Sequence, residues 1–142
     1  MKPPIQLEPL DRFNWDQVLN VSLKPEQLAF VPSILYSIAQ SAFEKQDAYG
    51  VRLEDIMVGL ILVGKTGSMS WISRIYIDAE YQGLGIGTEA VEQLISALTL
   101  RNSEIRTSHA KANVAAAAFF EKLGFQPLSN MGDDEVVLVL ER

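Results

Sequence analysis

The sequence contains no cysteine and only one histidine among its 142 residues. Without cysteine there is no disulfide framework, no thiolate nucleophile and no cysteine metal site. A single histidine, with aspartate and glutamate at no ligand-like spacing, gives no constellation that could hold a metal ion. Catalysis by a thiolate is therefore excluded, and we expect no metal.

A long apolar run is also lacking. The longest one, Ile56 to Val63, has eight residues including a glycine, whereas a helix needs about 20 to cross a bilayer. The first residues, MKPPIQLEPLD, show no apolar region of a signal peptide. We therefore predict a cytoplasmic protein with no membrane partner.

Positive charge is scarce, with 12 Lys and Arg against 18 Asp and Glu and a net charge of −6. A general nucleic-acid surface would need a basic patch, so no nucleic-acid partner is expected. The acidic balance favours a cationic ligand through electrostatic steering, or it serves solubility alone. Apolar residues make up 48% and charged residues 21% of the chain, which is typical of a globular domain.

The segment from Trp71 to Arg101 combines a β-rich run, a turn with three glycines and a helical pattern. Gly83, Gly85 and Gly87 lack the Cβ atoms that keep an anion away from the backbone, and glycine tolerates the positive φ angles that turn several N–H groups inward. The positive end of the following helix dipole adds to the attraction. We predict that residues 82–88 bind a phosphate, with a purely structural turn as the alternative.

Two common nucleotide-binding motifs do not fit this loop. A P-loop needs a lysine after its last glycine, but Thr88 follows Gly87. A dinucleotide fingerprint needs a different final spacing from that of Gly83, Gly85 and Gly87. The loop continues directly into an apolar stripe at helical spacing, formed by Ile86, Ala90, Val91, Leu94, Ile95 and Leu98.

Upstream, the pattern predicts an antiparallel hairpin, Tyr49–Leu53 with Ile56–Lys65, followed by a strand from Met69 to Asp78. Strict alternation in this last strand predicts two faces, one with Trp71, Ser73, Ile75 and Ile77 and the other with Ile72, Arg74 and Tyr76. An ordinary ion pair with Asp78 or Glu80 is the expected role of Arg74.

The remaining elements follow from the same periodicities. A short helix around Trp15 precedes a helix from Pro32 to Gln46, whose predicted apolar stripe is Ile34, Leu35, Ile38, Ala42 and Phe43. The last predicted helix follows a cap at Asn113 and ends at Gly124. The predicted order β-α-α-β-β-β-α-β-α-β-β describes one α/β domain over residues 1–142. Its single mixed, mostly antiparallel sheet is flanked by helices.

Two motifs in this order resemble the GCN5-related N-acetyltransferases. Trp71 to Asp78, followed by Tyr81 to Gly87 (YQGLGIG), is similar to that family's motif A, whose signature is Gln/Arg-x-x-Gly-x-Gly/Ala. Asn113 to Phe125 (NVAAAAFFEKLGF) resembles the motif B helix. More weakly, Val21 to Val31 resembles the spermine/spermidine (diamine) acetyltransferase branch.

The resemblance implies an acyl-CoA N-acyltransferase fold with acetyl-CoA as cosubstrate. It also implies that the motif A strand parts from its parallel neighbour, which frees its backbone for the pantetheine arm. The loop would hold the diphosphate. The residues implied to bind the cofactor are Ile75, Tyr76, Ile77, Gln82, Gly83, Leu84, Gly85, Ile86, Gly87, Thr88, Asn113 and Phe120.

The sequence departs from the family pattern at Phe120, which stands where the family often has a tyrosine that protonates the leaving sulfur. Phenylalanine cannot donate a proton, and general acid catalysis is typically worth about 10²–10⁴-fold. Solvent can replace this acid, or another hydroxyl such as Tyr36, Tyr76 or Ser129 can. The general acid and base are therefore unassigned, with Tyr76 as the side-chain candidate.

Three functions follow. The leading one is an acetyl-CoA-dependent N-acetyltransferase, an acyltransferase acting on a primary amine of a small molecule such as a polyamine. The missing phenol at Phe120 favours a second, a non-catalytic or weakly active acyl-CoA-binding domain. The third is acetylation of a peptide or protein. Exposed edges of the late strands can also pair between chains, which would give a homodimer.

Overall fold

The computed structural model describes residues 2–99 and 104–141. Its seven strands are β1 (Ile5–Pro9), β2 (Asp47–Leu53), β3 (Ile56–Thr66), β4 (Met69–Ile77), β5 (Glu104–Ala110), β6 (Gln126–Met131) and β7 (Glu135–Glu141). Its α-helices are α1 (Ile34–Phe43), α2 (Ile86–Thr99) and α3 (Val114–Lys122). Short 3₁₀ segments occupy Trp15–Asn20, Pro25–Gln27 and Ala79–Tyr81. The predicted order is confirmed, with 3₁₀ turns in place of the first helix.

The seven strands form one sheet in the order β1-β2-β3-β4-β5-β7-β6. Neighbours are antiparallel except β4 and β5, which are parallel. Helix α2 provides the crossover that a parallel pair requires. The predicted fold class is therefore confirmed. No helix within residues 2–99 or 104–141 is both long and apolar enough to span a bilayer.

Helices cover both faces of the sheet. Helices α2 and α3 share one core with the sheet, and the segment from Trp15 to Asn20 packs with α1 against the opposite face. The predicted stripe of α2 is confirmed in full, since all six of its residues are buried. Local periodicity was sufficient here because this helix lies flat on an apolar sheet.

The predicted stripe of α1 is only partly right. Ile34 and Ile38 pack against the sheet, but Leu35 is 61% and Phe43 89% exposed. The residues that α1 buries are instead two serines, Ser37 and Ser41. Ser37 is buried because its hydroxyl bonds to the sheet, so a long-range polar contact overrides the apolar pattern.

A β-bulge in β4 overturns the predicted strict alternation of its side chains. Arg74 pairs with Leu62 while Ile72 pairs with Val63, so Ser73 is an extra residue without a partner on β3. Because one added residue reverses the alternation, Ile72 lies in the same core as Ile75 and Ile77, whereas Tyr76 faces the α1 side. The bulge at Ser73 also directly follows Ile72, the last residue of β4 that pairs with β5.

Candidate active site

The parallel strands β4 and β5 part in mid-sheet. They pair only from Met69 to Ile72 on β4, where Ile72 is opposite Thr107. At this last pair the Thr107 hydroxyl donates a hydrogen bond to the carbonyl oxygen of Ile72 at 2.8 Å. From Ser73 onward β4 has no strand partner on its β5 side, while β5 continues along β7. The result is a fork whose open edge exposes backbone hydrogen-bonding groups.

The open edge of β4 contains the three residues predicted to meet the pantetheine arm. Ile75, Tyr76 and Ile77 pair with β3 on one side and lack a strand on the other. One of their groups is already in use, because the carbonyl of Ile77 accepts a hydrogen bond from Gln82 Nε2 at 2.8 Å. A carbonyl has two lone pairs, so this contact leaves capacity for a second donor.

The glycine loop adopts the predicted backbone conformation at two positions. Gly83 has a φ of 77° and Gly85 a φ of 82°, a region that residues with a side chain rarely occupy. Leu84, between them, is 61% exposed. Helix α2 begins at once after Gly85, and the first amide to bond back is that of Glu89, which donates to the carbonyl of Gly85 at 3.0 Å.

Three N–H groups at the start of α2 therefore have no hydrogen-bond acceptor in the described part of the chain. Within the described ranges, no group accepts a hydrogen bond from the amides of Ile86, Gly87 or Thr88. Their donors combine with the helix dipole to make this end of α2 attractive to an anion. The loop residues fit a diphosphate by the chemistry of their donors.

Space around the loop is consistent with a ligand. A Cβ atom at Gly83 would have no heavy atom within 4 Å. At Gly87 it would lie 3.5 Å from Phe119 and 3.6 Å from Ile77, which is ordinary van der Waals contact. Packing within the protein therefore does not require glycine at residue 87.

Gln82 is fixed by a partner that the sequence did not reveal. Its side-chain amide bonds reciprocally to that of Gln27, with N–O distances of 2.9 and 3.0 Å. Gln27 lies in the 3₁₀ turn that begins at Pro25. The first residue of the loop motif is thus tied to the N-terminal segment that covers the opposite face of the sheet.

Asn113 and Phe120 both have clear structural roles in α3. The side chain of Asn113 caps the helix by accepting a hydrogen bond from the amide of Ala116 at 3.2 Å. Phe120 is 5% exposed and meets Phe119 and Phe125 edge to face. Phe119 is the aromatic ring that approaches the loop at Gly87. Cofactor contact by Asn113 and Phe120 stays a prediction.

The hydroxyl of Tyr76, the candidate general acid, is engaged in hydrogen bonds within the fold. Tyr76 is 1% exposed, and its hydroxyl donates to the carbonyl of Pro32 at 2.7 Å. The Ser37 hydroxyl lies 2.7 Å from Tyr76 Oη. Because the Tyr76 proton goes to Pro32, Ser37 is the donor of this second bond. Burial raises the pKa of Tyr76, while the bond to Ser37 and the charge of Arg74 oppose the rise. The hydroxyl proton of Tyr76 therefore already has an acceptor within the protein.

The other hydroxyls predicted as acid substitutes lie on the surface. Tyr36 is 58% exposed on α1, and Ser129 is exposed on β6. Two hydroxyl residues missed in the sequence border the fork instead. Ser73 forms the bulge and donates to Gln46 Oε1 at 2.7 Å, and Ser108 follows the last paired residue of β5. No sequence signal marked either serine, because the fork depends on strand pairing.

Arg74 differs from its predicted role. The ion pairs within the described ranges involve Arg52, Lys65 and Arg106, and none involves Arg74. Its expected partner Asp78 instead accepts hydrogen bonds from two backbone amides, those of Ser22 at 2.8 Å and Glu80 at 3.1 Å.

Among residues 2–99 and 104–141, no group of three acidic or histidine side chains could hold a metal ion.

The family model of the acetyltransferase (GNAT) family matches residues 15–125, which include the fork, the loop and α3. The chain belongs to the GNAT acetyltransferase family. This match confirms the family resemblance, whereas nothing in it favours the spermine/spermidine branch. No curated protein matches the chain at a significant level.

Solved structures agree with this GNAT fold. An acetyltransferase from Thermus thermophilus is 19% identical with a TM-score of 0.84, covering 100% of both chains. PaiA N-acetyltransferase from Thermoplasma acidophilum, in complex with coenzyme A, is 15% identical with a TM-score of 0.77, covering 97% of this chain and 99% of its own. A GNAT family acetyltransferase from Elizabethkingia anophelis with acetyl-CoA bound is 14% identical with a TM-score of 0.74, covering 99% and 100%.

Membership in the GNAT family fixes the general chemistry. The chain is an N-acetyltransferase in general terms, with acetyl-CoA as its cosubstrate and an amine as its acceptor. The free amides of α2 and the open edge of β4 are the features of this chain that fit such a cosubstrate.

Proposed function

We propose that this chain transfers an acetyl group from acetyl-CoA to a primary amine of a small molecule. The observation that carries the proposal is the combination of the fork after Ile72 and three unpartnered amides at Ile86, Gly87 and Thr88. The open backbone of β4 offers a place for an extended arm, and the amides offer a place for a diphosphate. Acetyl-CoA supplies the activated thioester.

The chemistry divides into a bond-forming and a bond-breaking step. The nitrogen of a neutral amine attacks the thioester carbonyl carbon, and the carbon–sulfur bond then breaks to give an amide and a thiolate. The amine loses one proton and the thiolate gains one, so no net proton is consumed. Both movements matter near neutral pH because amines have pKa values near 10.4 and thiols near 8.5.

Neither Phe120, at the family's tyrosine position, nor Tyr76 is placed to supply acid catalysis. Phe120 has no acidic proton, and the Tyr76 hydroxyl already donates a hydrogen bond to the carbonyl of Pro32. We therefore assign protonation of the thiolate to solvent, and the contribution of the protein to orientation and to backbone donors near the carbonyl. Modest turnover is the expected consequence, since general acid catalysis is worth about 10²–10⁴-fold.

The same observation supports a second candidate, a domain that binds acyl-CoA without efficient turnover. Release of free thiol from acetyl-CoA in the presence of diamines, polyamines, amino acids and peptides separates the two. Amine-dependent thiol release supports the transferase. If calorimetry shows coenzyme A binding but no amine raises thiol release above background, the binding domain is the better account. Preferential turnover of peptides would instead favour acetylation of a protein.

A further inference from the structure

Among the described residues, no acidic side chain forms an ion pair with Arg74 at the fork. Arg74 is the second residue of β4 beyond the last pairing with β5. Its Nη1 donates to the carbonyl of the bulged Ser73 at 2.7 Å. Its Nε is shielded from solvent, and no group in the described part of the chain accepts its proton. The guanidinium also lies beside the Tyr76 hydroxyl, whose burial-raised pKa it lowers, and in the described part of the chain some of its five donors have no acceptor.

The surroundings of Arg74 on the α1 side of the sheet are polar. Helix α1 and the residues after it contact β4 at two places. Ser37 bonds to Tyr76, and Gln46 bonds to Ser73. Gln40 lies between these contacts on α1; its Nε2 donates to Glu44 Oε2 at 3.3 Å, and its buried Oε1 has no donor among the described residues. A positive charge that is partly withdrawn from water and lacks an anion is unfavourable. An anionic group would complete this site.

We propose that Arg74 binds a carboxylate of the acceptor, so that the acceptor is an amino acid or a related amino-carboxylate. This inference rests on the proposed function. A guanidinium matches a carboxylate with parallel hydrogen bonds, which also fixes the orientation of the bound molecule. The carboxylate reaches the remaining Nη hydrogens, or Nε after a rotation of the side chain. A polyamine would instead bring further positive charge towards Arg74.

Matched pairs of acceptors test the proposal, because ornithine and putrescine, like lysine and cadaverine, differ only in the carboxylate. We expect the wild-type chain to prefer the amino acid by at least about tenfold in kcat/KM, as befits a hydrogen-bonded charge pair. Arg74→Gln should bring the ratio close to one. Arg74→Glu should favour the diamine, an inversion that a purely structural role of Arg74 would not produce.

Lys65→Gln is the control for the loss of one positive charge on the neighbouring strand, since Lys65 lies on β3 and already has an ion-pair partner in Asp47. It should leave the preference unchanged. Equal or better turnover of the diamines by the wild-type chain would overturn the proposal, as would a preference that survives in Arg74→Gln.

A binding measurement separates this inference from the proposed function. Calorimetric titration of N-acetylornithine and N-acetylputrescine into the complex with coenzyme A needs no turnover. Tighter binding of the carboxylate compound that is lost in Arg74→Gln supports the assignment, even if thiol release fails for every amine. Equal binding of both compounds overturns it, even if the chain proves to be an active transferase.

Discussion

The side-chain amides of Gln27 and Gln82 hydrogen-bond to each other in both directions, at 2.9 and 3.0 Å. The remaining hydrogen of Gln82 Nε2 goes to the carbonyl of Ile77 at 2.8 Å. Gln27 Oε1 also accepts from the amide of Lys24 at 3.0 Å. This pair joins the N-terminal turn, the end of β4 and the glycine loop in one hydrogen-bond network. Movement of any one of them is therefore opposed by the other two.

From this network we expect Gln27→Ala to weaken coenzyme A binding although Gln27 lies outside the loop. The loss of orientation at Gln82 should raise the dissociation constant by about three- to tenfold. A double-mutant cycle with Gln82→Ala should give a coupling of about 1 kcal/mol, as for residues in contact. Titration calorimetry measures both quantities.

Gln17→Ala is the matched control, because Gln17 also lies in a 3₁₀ segment but bonds to Arg52, away from the loop. It should not change coenzyme A affinity. Strictly additive effects of Gln27→Ala and Gln82→Ala would contradict the coupling.

Gly87→Ala should move stability and cofactor affinity in opposite directions. An alanine Cβ at this position meets Phe119 and Ile77 at ordinary contact distances, and alanine is the better helix former, by up to about 1 kcal/mol. We therefore expect unchanged or slightly higher stability in urea unfolding. Coenzyme A affinity should fall by about tenfold, because the added methyl group occupies space beside the free amides.

Ser96→Ala, on the exposed side of the same helix, provides the comparison. It too improves helix propensity but should leave affinity unchanged. If Gly87→Ala binds coenzyme A as tightly as the wild-type chain, the space beside Gly87 is not needed by the ligand.

Elements with local periodicity could be predicted from the sequence, whereas those defined by distant contacts could not. The buried face of α2 follows from spacing alone, and all six residues were correct. The face of α1 was partly wrong because Ser37 is buried by its bond to Tyr76, 39 positions away. The faces of β4 were wrong because a bulge at Ser73 has no signature in this sequence.

The candidate site follows the same division. The glycine loop was predictable because glycine is the residue that its φ angles demand. The partner of Gln82 and the missing counterion of Arg74 depend on how segments far apart in the chain meet. Opposite charges close together in the sequence predicted an ion pair of Arg74 with Asp78 or Glu80. In the structure the Asp78 carboxylate accepts hydrogen bonds from the amides of Ser22 and Glu80.

Tyr76→Phe should cost stability and leave activity unchanged. Its hydroxyl bonds to Ser37 and to the carbonyl of Pro32 in the core, and loss of such buried bonds costs about 1–2 kcal/mol. Because burial raises the pKa of Tyr76, the unfolded chain releases this proton near pH 10 while the folded chain still holds it. The contribution of Tyr76 to the free energy of unfolding is therefore fully present below about pH 10 and declines as pH rises above it.

Urea unfolding at neutral pH and above pH 10 measures both effects. The decline due to this residue should be absent in Tyr76→Phe, whereas Tyr36→Phe, at a position 58% exposed, should behave as wild type. A fall in kcat of more than about tenfold for folded Tyr76→Phe would return Tyr76 to a catalytic role.

Phe120→Tyr tests whether a missing acid limits turnover. The side chain of Phe120 is 5% exposed and enclosed by Phe119 and Phe125. A hydroxyl added there enters a buried, aromatic environment, so we expect a loss of about 1–3 kcal/mol in stability. Coenzyme A should restore part of it if the hydroxyl reaches the sulfur, which scanning calorimetry with and without ligand detects.

Turnover provides the decisive comparison for this variant. If protonation of the thiolate is slow in the wild-type chain, Phe120→Tyr should raise kcat by about tenfold or more, within the range of general acid catalysis. Phe119→Tyr places the same hydroxyl on the neighbouring ring, at a position that does not match the family tyrosine, and should give no increase. An unchanged kcat for Phe120→Tyr, with coenzyme A affinity retained, would mean that solvent protonates the thiolate fast enough and that another step sets the rate.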